Sequence, residues 1–152
     1  MARELIMVTC TRKLQWCMGH RVMGHENKCA HLHGHNYEAH VVCKADALDS
    51  VGRVVDFSVI KQELGQWIDQ YWDHGFVLYF GDNNAIKAVE GFLVREEHRQ
   101  KLYLMDDNPT AENLALLLLL KGNELLKQWG VSVVEVTVHE TPNCYATAKA
   151  AV

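Results

Sequence analysis

The sequence predicts an α+β fold, an antiparallel sheet with helices on one face. Three observations lead there. Runs rich in Val, Thr and aromatic residues lie near both ends of the chain and read as strands. Two segments between them carry apolar residues at helical spacing. Strands thus flank a helix pair instead of alternating with helices, the pattern of a sheet with its helices segregated to one side.

Leu5 to Met18 is rich in Val, Thr, Ile and Trp and reads as a strand. "GHRVMGHENKCA" has two glycines and mixed polarity and reads as a loop. A second strand is expected from about His31 to Lys44. "DALDSVG" reads as a turn into a short strand, "RVVDF", giving antiparallel pairing around a polar hairpin. The first helix is "SVIKQELGQWIDQYW", where Ile60, Leu64, Trp67, Ile68 and Tyr71 form one stripe and Asp56 or Ser58 can cap the N-terminus. The second opens at "PTAEN", with Thr110 as N-cap and Glu112 in the first turn, and ends at "KQWG", with Gly130 as the terminating glycine. "VSVVEVTVHET" is the last strand, with Val134, Val136, Val138 and Glu140 on one face. The order is β-β-β-α-α-β. Long strands on a small chain leave edges to cover, which points to a homo-oligomer.

Composition sets the class. At 152 residues and 49% hydrophobic, the chain suits one domain, residues 1–152. A net charge of -4 gives no nucleic-acid footprint. The longest apolar run, "LALLLLL", is too short to span a membrane, and the N-terminus lacks a signal-peptide layout, so a cytoplasmic protein is expected. There its five cysteines stay reduced.

"KCAHLHGHNY", Lys28 to Tyr37, carries the chemistry. His31, His33 and His35 alternate, so on a strand all three share a face. Either His31–His33 or His33–His35 would present two imidazoles side by side. His20 or His25 can supply a third ligand. Imidazole suits zinc, and nickel, iron and copper also accept it. Cys29 reads equally as a ligand or as a thiolate nucleophile or base. "WDHG" sets Asp73 beside His74, either an acid–base unit or an ordinary helix end. Glu140 closes an apolar row, where a partly buried carboxylate needs donors that a ligand's N–H groups can provide. His139 points to the other face.

"CAHLHGH", "WCMGHR", "GRVVDF", "WDH", "PTAEN" and "VHET" stand in the order seen in the 6-pyruvoyl tetrahydropterin synthase / 6-carboxytetrahydropterin synthase family, which the chain resembles from about Leu14 to Tyr145. The short gap between Cys29 and His33 is similar to the 6-carboxy-5,6,7,8-tetrahydropterin synthase branch, which serves queuosine and other 7-deazaguanine synthesis. The resemblance implies the tunnelling fold, of β-β-α-α-β-β type, with subunits joined by their sheet edges into a barrel. It implies hexamers with active sites between subunits. It implies Zn2+ on His20, His33 and His35, Cys29 as catalytic thiol, Asp73 and His74 as acid–base pair, and Glu140 as the pterin anchor. The implied substrate is 7,8-dihydroneopterin triphosphate, converted to the 6-carboxy product with release of acetaldehyde and triphosphate. A pyruvoyl product is the alternative. The family's F-x-A-x-H strand ending reads Trp16-Cys17-Met18-Gly19-His20 here, which brings an extra thiol toward the metal. Residues 75–108 form a longer segment than expected, and such segments are often functional or interfacial. Arg21 and Lys28 read as triphosphate partners or as plain surface charges.

Overall fold

A computed structural model describes residues 6–151. Strand β1 (Cys10–His20) pairs antiparallel with β2 (His33–Ala45), so Leu5 of the expected first strand lies outside the described residues. Both strands alternate. Leu14, Trp16, Met18 and His20 on β1 turn inward, as do Tyr37, Ala39, Val41 and Cys43 on β2. Period two is what one buried face requires.

"RVVDF" is not a strand. β2 has β1 on one edge and β7 (Val131–Thr141) on the other, so no free edge remains for a strand that follows it. Asp49 instead folds the chain back. Its carboxylate accepts from the Val51 and Arg53 amides at 3.0 and 2.9 Å, and Val54 and Val55 drop into the core. Asp56 then caps helix α1 by accepting from the Ser58 amide.

Helix α1 covers residues 57–71 and contains a π turn, Lys61–Gly65. Its buried row is Ile60, Leu64, Ile68 and Trp72, with Tyr71 exposed instead of joining the stripe. Four-residue steps overrun a 3.6-residue turn by about 40° each, and the wider π turn absorbs part of that drift. Trp72 packs against Trp16, which stacks on Tyr37 across β1 and β2 at 5.4 Å.

The middle segment is structured. β3 (Gly75–Tyr79), helix α2 (Asn83–Glu90), a hairpin of β4 (Leu93–Arg95) and β5 (His98–Arg99), and β6 (Leu102–Met105) follow in turn. β3 runs parallel to β1 and β6 parallel to β3. The sheet is therefore mixed, not antiparallel throughout. With β8 (Cys144–Lys149) its order is β6-β3-β1-β2-β7-β8. Three helices serve it. α1 and α3 (Ala111–Leu126) cover the inner face, over the main core. α2 lies against the opposite face, where Ala85 and Val89 meet Leu78, Phe76 and Leu102. Phe76 also lies flat over Gly19, whose missing side chain makes the room: a Cβ there would sit 2.4 Å from the Phe76 ring.

Thr110 caps α3 by accepting from the Asn113 amide, and Gly130 terminates the following turn at φ +71°. On β7 the inner row is Val131, Val133, Val136, Val138, then Glu140. Val134 is not in it. A bulge opposite Val42 and Cys43 inserts one residue and switches the face. The Asn123 side chain bonds both the N–H and C=O of Val133 beside this irregularity. Among the described residues no helix is long and apolar enough to cross a membrane. All five cysteines are free thiols.

Candidate metal centre and its surroundings

β1 and β2 assemble the centre through their register. His20 faces His33 directly across the pair, and His35 is two residues further along the same face. The three rings offer nitrogens within 4.8 Å of one another. His31 is exposed and precedes the first paired residue of β2, so it is not part of this face. His25 is not part of it either: its Nδ1 accepts from the Asn27 amide.

Backbone carbonyls hold two of the rings. His20 Nδ1–H donates to the Pro109 carbonyl at 2.7 Å, and His33 Nδ1–H donates to the His31 carbonyl at 2.7 Å. Each neutral ring then presents its Nε2 lone pair, and the two Nε2 atoms stand 3.1 Å apart. Two lone pairs at that distance repel unless a cation sits between them. Imidazoles sharing one ion at 2.0–2.1 Å place their nitrogens roughly 3.3 Å apart at the tetrahedral angle. His35 Nε2 is buried with no hydrogen bond among the described residues, 3.5 Å from a Glu140 oxygen. The residues therefore fit a metal ion held by three imidazoles, with carbonyls fixing the tautomers as ligating histidines require.

Burial favours the neutral form of His20 and His35. His20 is 1% exposed; burial, reinforced by His33 and His35 and opposed by the bond to Pro109, pushes its pKa down to about 4. His35 is lowered by burial and less so because of Glu140. Neutral imidazole is the form that binds metal.

Cys29 occupies a single 3-10 turn, Lys28–Ala30. Its carbonyl accepts from the Val22 amide, and the Ala30 carbonyl accepts from Arg21 Nη1. Arg21 also grips Asp82 through Nε and Nη2 at 2.5 and 2.6 Å. The Arg21 guanidinium is therefore committed to holding the Cys29 turn against α2 and is not a free phosphate ligand. Tyr37 follows His35 on the same face of β2. Its ring meets those of His35 and His20 edge to face at 5.4 and 5.8 Å. Its buried hydroxyl has no partner among the described residues. Burial, then the charges of Glu140 and Cys29, raise the Tyr37 pKa.

Asp73 and His74 pair, Nδ1 to Oδ1 at 2.9 Å. Asp73 Oδ1 also accepts from the Cys17 amide and the His74 amide donates to the Cys17 carbonyl. His74 holds a left-handed backbone (φ 61°) and its side chain is 79% exposed. A non-glycine residue in that region is often a functional position. Cys17 lies three residues from His20 along β1, roughly 10 Å. The Asp73–His74 pair and the imidazole cluster are thus separate groups within one chain. The Cys17 thiol turns away from the imidazole face and donates to Asn36 Oδ1.

Sequence reading missed the supporting residues. Lys101 Nζ donates to the Asp69 and Asp73 carbonyls, and Asn108 brackets Met23 through both its N–H and C=O. These come from the middle segment, which positions both groups. Tyr37 was findable, because it continues the alternation of His33 and His35.

The sequence profile of the 6-pyruvoyl tetrahydropterin synthase family matches residues 9–151. The chain belongs to this family. The Rickettsia bellii 6-carboxy-5,6,7,8-tetrahydropterin synthase is 38% identical over 143 residues, 91% of this chain and 98% of that one. A probable enzyme of the same name from Halobacterium salinarum is 34% identical over 131 residues, covering 86% and 79%. Among solved structures, an uncharacterized Wolinella succinogenes protein superposes with a TM-score of 0.81 at 23% identity, covering 95% and 98%. The Plasmodium vivax 6-pyruvoyltetrahydropterin synthase does so at 0.70 and 20%, covering 97% and 99%. These two likenesses speak to the fold of the family, including its curled mixed sheet.

Proposed function

We propose that the protein converts 7,8-dihydroneopterin triphosphate and water to 6-carboxy-5,6,7,8-tetrahydropterin, acetaldehyde and triphosphate. The observation that carries this reading is the cluster of three imidazoles beside Glu140 at one end of the inner face, with Cys29 in the turn that leads into β2. The curated relatives that match nearly end to end favour the carboxy product over the pyruvoyl one.

In this reading His20, His33 and His35 hold zinc, which supplies a Lewis acid toward side-chain oxygens. Cys29, as thiolate, removes a side-chain proton. Glu140 accepts from the pterin ring N–H and amino groups and aligns the side chain with the thiol. His74, oriented by Asp73, exchanges the second proton. The ring gains the hydrogens that the side chain loses, so no external oxidant or reductant is needed.

We further propose that a neighbouring copy supplies Asp73 and His74 to each Cys29, in a hexamer joined at sheet edges. The exposure of His74 and of the apolar residues Phe92, Leu93 and Val94 supports this. Free thiols suit the cytoplasm, where we place the protein.

Incubation of the zinc-loaded protein with the substrate, followed by mass analysis, tests the reading. Acetaldehyde with a 6-carboxy product is expected. A pyruvoyl product moves the protein to the other branch, and no product refutes the activity. Mixing Cys29→Ala and His74→Ala chains, each inactive alone, should restore part of the turnover if the site is shared. No recovery after verified subunit exchange places both groups in one chain.

A further inference from the structure

β2 builds a second cluster on its other face. Glu38 and His40 are two residues apart, as His33 and His35 are, and project to the opposite side of the sheet. His139 of β7 lies directly across from Glu38, as His20 of β1 lies across from His33. One nitrogen from each imidazole and one Glu38 oxygen fall within 4.8 Å of one another. The construction is the same: two side chains at i and i+2 on β2, and a third from the neighbouring strand.

The surroundings orient the three groups toward one another. His139 Nδ1 is buried and has no hydrogen bond among the described residues. Gln15 Nε2 donates to Glu38 Oε1 at 3.0 Å, and the Lys13 ammonium lies 3.6 Å from that same oxygen. Both leave Oε2 to face the imidazoles, where it accepts from His40 Nε2 at 2.7 Å. The Tyr145 ring covers His139 at 4.6 Å. A carboxylate with two imidazoles is a ligand set that suits zinc and similar borderline divalent cations.

We propose that Glu38, His40 and His139 form a second divalent-cation site, of zinc type, on the face of the sheet opposite the imidazole centre. A bound ion takes the place of the proton that His40 shares with Glu38. It ties β2 to β7 across the outer face, and solvent completes its coordination. The site does not depend on the proposed activity, because its residues lie on the other side of the sheet from Cys29 and Glu140.

Zinc titration of the full-length assembled protein, followed calorimetrically and by metal analysis after dialysis in micromolar zinc, decides it. Wild type is expected to hold two ions per chain. His139→Gln and, separately, His40→Gln are expected to hold one, with far-UV circular dichroism unchanged. Glu38→Gln keeps the hydrogen bonding to Gln15 possible and should weaken the second ion at least tenfold, which covers the case of a misfolded histidine variant. Saturation of wild type at one ion per chain overturns the proposal and leaves the cluster a hydrogen-bonded stack. Retention of two ions by all three variants overturns it as well.

Discussion

The two faces of β2 use one backbone for different ends. On the inner face His33, His35 and Tyr37 stand beside buried His20, where carbonyls take the Nδ1 protons of His20 and His33 and leave their Nε2 atoms facing each other. On the outer face Glu38 and His40 already bond each other and remain partly wet. Further along the outer face, Gly34 of β2 pairs with Gly19 of β1, which Phe76 covers. The lesson is that an i, i+2 pair of ligands on a strand builds its tightest site where the surroundings leave the ligand atoms without other partners. The inner face should therefore govern chemistry, and the glycine end of the outer face should govern packing.

The largest effect that would break this contrast is on turnover. Cys29→Ala is expected to lower kcat by about 10²–10⁴-fold, the range for a lost general base, with zinc content unchanged. Zinc loss in that variant, by metal analysis, would make Cys29 a ligand. Next comes Asp82→Asn, which leaves the Arg21 guanidinium without its buried partner and should cost about 3 kcal/mol in denaturant unfolding. Its pH dependence has a definite sign. The Arg21 guanidinium, through its hydrogen bonds, holds the Asp82 carboxyl below the usual carboxylate range. The unfolded chain then binds the proton more readily than the folded one. The contribution is present above about pH 4 and is lost as pH falls through the folded value, so the difference between wild type and Asp82→Asn should shrink in acid.

Gly19→Ala probes the outer face. A methyl group driven into the Phe76 ring should cost about 1–3 kcal/mol, read as a lower urea midpoint. A wild-type midpoint would show that β3 and α2 yield freely. The smallest effect is expected for His31→Ala. The group that His31 lends to the centre is its backbone carbonyl, and alanine keeps it.

Local pattern made β1, β2, α1 and α3 legible, because each shows one face at its own period over many residues; β7 was legible as a strand, but not the bulge that switches its face after Val133. β3 and β6 are four to five residues long and pair in parallel with segments distant in sequence, so no local signal marks them. "RVVDF" has strand composition, yet topology denies it an edge. The same division runs through the site. Alternation could offer His31, His33 and His35 as equals. The choice rests on where β2 begins and on the register that sets His20 against His33. Pro109, Lys101, Asp82 and Asn108 act through contacts spanning 28 to 89 residues, beyond any spacing rule.

The contrast between the two faces turns on the inner trio as the tight metal site. Zinc content of His31→Ala and His33→Ala, purified side by side and dialysed against a weak chelator, tests it most directly. His31→Ala is predicted to keep the tightly held ion and His33→Ala to lose it. Zinc lost from His31→Ala and kept by His33→Ala would contradict the account.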